Sequence, residues 1–341
     1  MTLTPFGHLP ATVATAVDNE LVLCPETPQS EEMRGATSEF VTVVVVMYNS
    51  ALLLPALVDS LPDGLAGIDW QLIFVDNAST DGSVEAARNL IPAAQILELR
   101  RNAGYAAGVN AGIARAGAAT AILALNADVR LGVGCVGHLL RALRVPGTGI
   151  AVPRLTDRHG DLIYSMRREP GVGRVLLEAV AGSERLGRMW DVGEVVFDSR
   201  RYAEETTTDW AEGSTQLISM ECLEACGPWD ETFFLYSEET EFGLRARDAG
   251  FKTHFVPSAH AVHLEGGSVD DPAKWSLVTK NKVKLYRRRH GCVAGALFYL
   301  GVLVREGSRA LLGHPTSRAA FALLLRPGRM RAPAGPEALV P

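Results

Sequence analysis

Residues 40–47 read Phe-Val-Thr-Val-Val-Val-Val-Met, almost unbroken valine. A short run of this kind is a strand buried on both faces, as in a parallel sheet. Beyond it the pattern alternates. Leu and Val at helical spacing occupy 51–60. A second strand pattern lies at 71–75, a helix at 83–90, a third strand at 95–99, a small-residue helix at 106–116 and a fourth strand at 121–125. Strands alternating with helices of this length predict an α/β fold with a doubly wound, mostly parallel, Rossmann-like sheet. Right-handed crossovers put the helices on both faces, and ligands bind beyond the carboxyl ends of the strands. The residues just after each strand therefore carry the functional information.

The rest of the chain is less regular. Residues 153–209 mix Arg, Gly and Glu, and are expected to form loops and short strands around a cleft. Further along come a strand at 215–220, a short helix at 222–226, a helix at 238–249 closed by Gly250, and a strand at 252–256. The expected organisation is a flexible extension (1–39), a catalytic domain (40–272, with halves 40–150 and 151–272), a helical tail (273–325) and a disordered end (326–341).

Bulk properties exclude some classes. A net charge of −6 gives no reason to expect nucleic acid as a partner. Five scattered cysteines suit reduced thiols, not a disulfide framework; Cys222 and Cys226 share a helix face without a second pair to complete a zinc site. The first 23 residues lack the basic start and apolar run of a secretory signal. The apolar stretch 293–304 falls short of the about 20 residues a membrane span needs. It comes after Lys280, Lys282, Lys284 and Arg287 to Arg289, a basic-then-apolar order that fits either a membrane-surface helix or a solvated helix packed on the catalytic domain. The expected location is cytoplasmic, at the inner face of the cell membrane.

The strand ends carry the chemistry. After the first comes Tyr48-Asn49-Ser50, with no glycine-rich dinucleotide fingerprint. The second ends in Asp76-Asn77-Ala78-Ser79-Thr80-Asp81-Gly82-Ser83, where Asp76 either accepts from a base or ribose or caps a turn, and Asp81 or Ser83 caps the next helix. The third leads into Asn102-Ala103-Gly104-Tyr105-Ala106-Ala107-Gly108-Val109-Asn110, whose glycines admit a close backbone approach to phosphate or ribose. The fourth ends in Asn126-Ala127-Asp128, an acid at the mouth of the sheet or an ordinary turn. Glu238, Glu239 and Glu241 open a helix; they either serve the helix dipole or supply a base whose pKa is raised by crowding. His263 comes after a late strand, as a surface residue or a metal ligand.

In this order the motifs resemble the family 2 glycosyltransferases of the GT-A fold. The second half agrees through Gly213-Ser214, Gly227-Pro228-Trp229-Asp230-Glu231 with Phe233-Phe234, Tyr236 with Glu238-Glu239, and His263 before Gly266-Gly267-Ser268. The rhamnosyltransferase-like branch is the nearest match, over about residues 40–289. The resemblance implies an inverting glycosyltransferase that moves a sugar, L-rhamnose from dTDP-rhamnose, to an acceptor hydroxyl on a lipid-linked or cell-envelope glycan. It implies Tyr48, Asp76, Asn102, Gly104, Asn110 and Asp128 along the nucleotide sugar. Asp128 and His263 would hold Mg²⁺ or Mn²⁺, Glu239 would be the base, and Trp229, Asp230 and Glu238 would face the acceptor. Two positions depart from the family. Asn126 stands where its metal motif carries the first acid, though the rhamnosyltransferase-like branch often shows Asn there. Glu239 stands where many relatives carry Asp. The rival readings are a sugar-1-phosphate nucleotidyltransferase and a non-catalytic nucleotide-sugar-binding protein.

Overall fold

The computed structural model describes residues 39–181, 192–264 and 271–336. The valine run forms β1 (Phe40–Met47) at the centre of the sheet. Its side chains alternate between two cores. Val41, Val43, Val45 and Met47 pack with α1 (Leu54–Gly64) and α4 (Cys135–Leu143) on one face. Val44 packs on the other with α3 (Tyr105–Ile113), α6 (Met220–Cys226) and α7 (Glu238–Asp248). A period of two feeding two apolar layers explains why the strand has almost no polar position. Helix α3 sits close on β1: a Cβ on Gly112 would stand 2.3 Å from Val44 Cγ1.

Among the described residues nine strands form one sheet, in the order β3-β2-β1-β4-β10-β6-β11-β5, with β8 also on β11. β2 (Asp69–Asp76), β3 (Gln95–Glu98) and β4 (Ala121–Asn126) run parallel to β1. α2 (Ser83–Leu90) joins β2 to β3. The alternation is then broken once. β10 (Thr215–Ser219) inserts antiparallel between β4 and β6 (Thr148–Thr156). β11 (Lys252–His263) runs parallel to β6, and β5 (Val129–Leu131) and β8 (Thr206–Thr208) lie antiparallel to it. The reversal has a consequence for the site. β10 starts, while β4 and β11 finish, at the same rim. β11 is more than twice as long as the expected strand because its pairing continues past an irregularity between Val256 and His260.

The stretch expected to be loops holds more order. β7 (Met166–Arg167) pairs with β9 (Trp210–Ala211), and α5 (Val172–Ala181) is a helix where the irregular composition predicted none. The tail is also more structured than expected. α8 (Pro272–Leu311) folds back on itself at Gly291, which has φ +74°. Trp275 Nε1 donates to Glu306 Oε2 at 3.0 Å. On a straight helix those residues would lie about 46 Å apart. Tyr286 and Phe298, one from each arm, stack with centroids 3.9 Å apart. α9 (Pro315–Leu324) and α10 (Pro327–Arg331) complete the tail, so residues 327–331 are helical, contrary to the expected disorder.

The basic arm of α8 faces inward. Arg288 pairs with Asp230 (2.6 Å), Arg289 with Glu169 (3.1 Å) and Asp248 (2.8 Å), and Lys282 with Glu194. Lys280 donates to the Ala332 carbonyl and Lys284 to Thr232. All of these but Lys280, which ties the tail to itself, fasten the tail to the sheet domain, so the packed-helix alternative describes this arm better than the membrane-surface one. Cys222 and Cys226 face each other as free thiols at 4.0 Å. The 1–38 extension and the Gly266-Gly267-Ser268 motif lie outside the described residues.

Candidate active site

Two loops build one end of the rim. Asp76 closes β2 opposite Met47 of β1. Its Oδ2 accepts from Ser79 N at 3.0 Å, while Oδ1 is buried without a partner. A buried, unpaired carboxylate oxygen is rare, and here it is open to a donor group from a ligand. Around it the 48–51 and 76–83 loops are laced together. Asn49 N donates to Ser79 Oγ (2.9 Å), Thr80 N to Asn49 Oδ1 (2.9 Å), Ser50 N to Ser83 Oγ (2.8 Å) and Ala51 N to Asp81 Oδ2 (2.9 Å). Asn49 and Ala78 hold left-handed backbone, at φ 52° and 65°. Such strain persists only where surroundings over-determine it. The Tyr48 ring stands half-exposed above this lacing. Gly82, not Asp81 or Ser83, is the N-cap of α2; Asp81 accepts from Ser83 N beside it.

The next turn serves structure more than ligand. Asn102 Oδ1 accepts from Gly104 N (3.1 Å), and the Gly104 carbonyl accepts from Asn77 Nδ2 (2.9 Å). Gly104 has φ +96°, and a Cβ there would stand 2.2 Å from the Phe234 carbonyl oxygen. The glycine lets α3 dock on the Phe234 loop. Asn110 takes a similar part: its amide clasps the Trp229 backbone from both sides (2.9 Å each) and reaches Glu231. It was expected beside the nucleotide; besides pinning this loop it lines a cavity with Arg100, Arg101 and Ala103.

Four residues meet further along the rim. β5 pairs with the end of β11, setting His263 opposite Val129, and Leu264 N donates to the Asp128 carbonyl (3.0 Å). That register brings His263 Nε2 to 3.0 Å from Asp128 Oδ2. His263 Nδ1 lies 2.8 Å from Glu212 Oε1, close although not aligned as a full hydrogen bond. Glu212 lies two residues before Ser214, whose carbonyl accepts from Asn126 N (2.9 Å). Burial disfavours charge on the imidazole, but the two carboxylates outweigh it and push His263 up to about 10. Arg130 donates to the Ala127, Val129 and Leu53 carbonyls and so braces the turn that carries Asp128.

Glu239 begins α7 beside this group. A Cβ on Gly213 would lie 3.0 Å from Glu239 Cβ, so the glycine lets the glutamate approach the start of β10. Burial, then the Glu212 charge, raise Glu239 to about 7, against opposing hydrogen bonds and Arg167. Glu238 is almost fully buried with one oxygen unpartnered, and burial followed by the Glu239 charge holds it well above the usual range. Of the pair, Glu239 keeps part of its surface open. Tyr105 lies within reach of both sides: burial raises its hydroxyl pKa first, and the charges of Glu238, Glu239 and Asp128 add to it. Before α7, Tyr236 and Ser237 sit at φ 68° and 75°, and Asn281 of α8 donates to the Leu235 and Tyr236 carbonyls (2.9 Å each).

Two residues expected to face an acceptor do not. Trp229 is 1% exposed and stacks on Phe242 with centroids 5.2 Å apart, so its ring belongs to the core. Glu238 is closed off as described. Asp230 is engaged by Arg288 and Thr232. Glu212, Arg130 and Asn281 could not be picked out from sequence, because no motif marks a residue whose function is to hold another.

Asp128 and His263 Nε2 are close enough to serve one divalent cation together, and Glu212 stands behind the histidine where an orienting carboxylate belongs. Among the described residues no three such side chains form a closed cage. Two cavities lie away from this group. One of about 480 Å³ lies by Arg100, Arg101 and Glu231; one of about 280 Å³ lies at the far end of β11, by Arg168, Arg247 and Lys252.

Comparison with known proteins gives the family and the fold. The model of the family described as "Glycosyl transferase family 2" matches residues 42–191. The N-acetylglucosaminyl-diphospho-decaprenol L-rhamnosyltransferase of Mycobacterium tuberculosis is 30% identical over 214 residues, covering 59% of this chain and 69% of that protein. Rhamnosyltransferase WbbL of Escherichia coli is 25% identical over 100 residues, 29% of this chain and 34% of that one. Among solved structures, mannosyltransferase PcManGT of Pyrobaculum calidifontis, in complex with GDP-Man and Mn²⁺, superposes with TM-score 0.52 at 16% identity over 85% of this chain and 81% of that one. GalNAc-T7 with UDP, GalNAc and Mn²⁺ gives 0.54 at 16% identity; this chain covers 56% of it, and 85% of this chain is matched. Both likenesses are to the GT-A fold.

Proposed function

Because this chain belongs to glycosyl transferase family 2, and is a glycosyltransferase of GT-A fold, we propose that it transfers L-rhamnose from dTDP-rhamnose to a hydroxyl of a lipid-linked glycan with inversion. The two rhamnosyltransferase relatives support the sugar, and the decaprenol-linked substrate in the mycobacterial relative's name supports the acceptor. An acceptor of that kind places the work at the inner face of the cell membrane. Family membership also disposes of the nucleotidyltransferase and the non-catalytic binder.

One observation carries the mechanism: Asp128, Glu212, Glu239 and His263, far apart in sequence, come to one rim beside the Asp76 loop. In the proposed reaction Asp76 accepts from the base through its unpaired oxygen. Asp128 and His263 would hold Mg²⁺ or Mn²⁺ once the imidazole gives up the proton that the two carboxylates hold on it, and Glu212 would orient the ring through Nδ1. Such a cation supplies positive charge against the departing diphosphate. Glu239 takes the proton from the acceptor hydroxyl as its oxygen bonds to the anomeric carbon and the bond to the nucleoside diphosphate breaks on the opposite face. A single displacement inverts the centre. Retention through a covalent sugar would need a second carboxylate as nucleophile. A carboxyl held near 7 by burial is matched to this proton transfer, since a base works best with its pKa near the working pH.

The test is transfer from dTDP-rhamnose to a soluble N-acetylglucosaminyl diphosphate acceptor, with and without Mn²⁺, and then NMR of the new linkage. The reading expects metal-dependent product of inverted configuration. A retained linkage, or turnover unaffected by chelation, overturns it. Thermal shifts with a panel of nucleotide sugars identify the donor independently.

A further inference from the structure

The second arm of the α8 hairpin leaves an apolar stripe uncovered. Val293 (78% exposed), Leu297 (52%), Leu300 (53%), Val304 (49%) and Leu311 (90%) succeed one another at intervals of four, three, four and seven. At about 100° per residue they fall within an arc of about 60°. The opposite side of that arm is packed: Phe298 and Val302 are buried with Val175, Tyr286 and Leu324. A soluble surface scatters its exposed apolar residues, whereas a continuous line of them marks a contact.

The charges around the stripe indicate what covers it. Residues 272–336 carry thirteen Lys and Arg and one acid, Glu306, in a chain whose net charge is −6. Glu306 is itself buried against Arg305 and Trp275. Lys282, Lys284, Arg288 and Arg289 of the first arm are engaged with the sheet domain, but Arg318, Arg326, Arg329 and Arg331 are exposed and form no ion pair among the described residues. Leu325, 57% exposed, leads directly into Arg326. Among the described residues no helix is long and apolar enough to cross a membrane. An apolar stripe in so basic a tail, on a helix too short to span, with Arg318 donating to the Ala310 carbonyl at its far end, matches an anionic lipid surface. A symmetric contact with a second copy would set these arginines against their own kind.

We propose that the outer face of this hairpin, from Val293 to Leu311 with Arg318 of α9 at its end, seats the protein on an anionic bilayer, the exposed arginines of α10 adding to the positive charge of the tail. The proposal rests on the lipid-linked acceptor reading for its purpose. The hairpin also couples the docked face to the site: Asn281, on its first arm, holds the turn that introduces Glu239. Seating the stripe on lipid would therefore fix the height of the acceptor cleft above the surface.

The experiment is flotation of the full chain with phosphatidylcholine vesicles, with and without phosphatidylglycerol, at low salt. The chain is expected to float with the anionic vesicles and not with the neutral ones. Leu297→Glu with Leu300→Glu should cut the bound fraction by about tenfold or more, and Arg329→Glu with Arg331→Glu should weaken binding less. Neither pair should move the thermal midpoint or the transfer rate to a water-soluble acceptor. No flotation of the wild type overturns the proposal. So does undiminished flotation of the leucine variant, or a dimer that Leu300→Glu splits without any vesicle binding. Failure of the transferase reading would appear separately, as no turnover on the soluble acceptor by the wild type.

Discussion

The two ends of the rim are built in opposite ways. The Asp76 end is local: loops 48–51 and 76–83, joined by backbone-to-side-chain hydrogen bonds, hold one carboxylate with an unpartnered oxygen. The Glu239 end is assembled from β4, β10, β11 and α7, and its carboxylates crowd one another and one histidine. A local, rigid pair of loops suits holding an unchanging nucleotide. A crowded, half-buried cluster suits a step in which protons and charge move, because low dielectric makes every neighbour count.

If that division is real, substitutions at the two ends should differ in kind. The largest effect is expected at the reaction end: Glu239→Gln should lower kcat by about a hundredfold to ten-thousandfold, while calorimetry shows donor affinity unchanged. At the nucleotide end, Asp76→Asn should weaken donor Kd by roughly tenfold to a hundredfold and leave kcat at saturating donor near wild type. A comparable fall in kcat for both variants would erase the distinction. Glu212→Gln tests whether the histidine needs its support: Mn²⁺ affinity should fall by roughly tenfold to a hundredfold, read by titration without any turnover. Smallest, Asn281→Ala removes two donors from the strained turn before α7. It should cost about 1–3 kcal/mol of stability, seen as a lower Tm, with a milder loss of kcat.

The same contrast explains what could be read in advance. β1 to β4 were legible because each is an apolar run closed by a polar turn, and the period survives any tertiary context. Asp76 and Asp128 were legible because they stand at strand ends. The antiparallel insertion of β10 was not, since a few residues of alternating or continuous apolarity do not state which neighbour they pair with. Without that insertion Glu212 has no reason to approach His263. Trp229 misled for the converse reason: a motif marks it, but its part is to lock a loop onto α3, and packing leaves the same trace in sequence as function. The hairpin in α8 turned on one residue, Gly291, whose positive φ no periodicity announces. The inward use of the basic arm depends on acids as distant as Glu169 and Asp230.

The most direct test is kcat against pH for the wild type and Glu239→Gln, measured side by side at saturating donor and acceptor. The base acts only when ionised, and its enclosure raises it to about 7. The wild-type rate should therefore fall as pH drops through about 7, and the variant's residual rate should show no such limb. A wild-type limb down at the ordinary glutamate range, or the same limb in both proteins, would contradict the assignment of Glu239 as the proton acceptor.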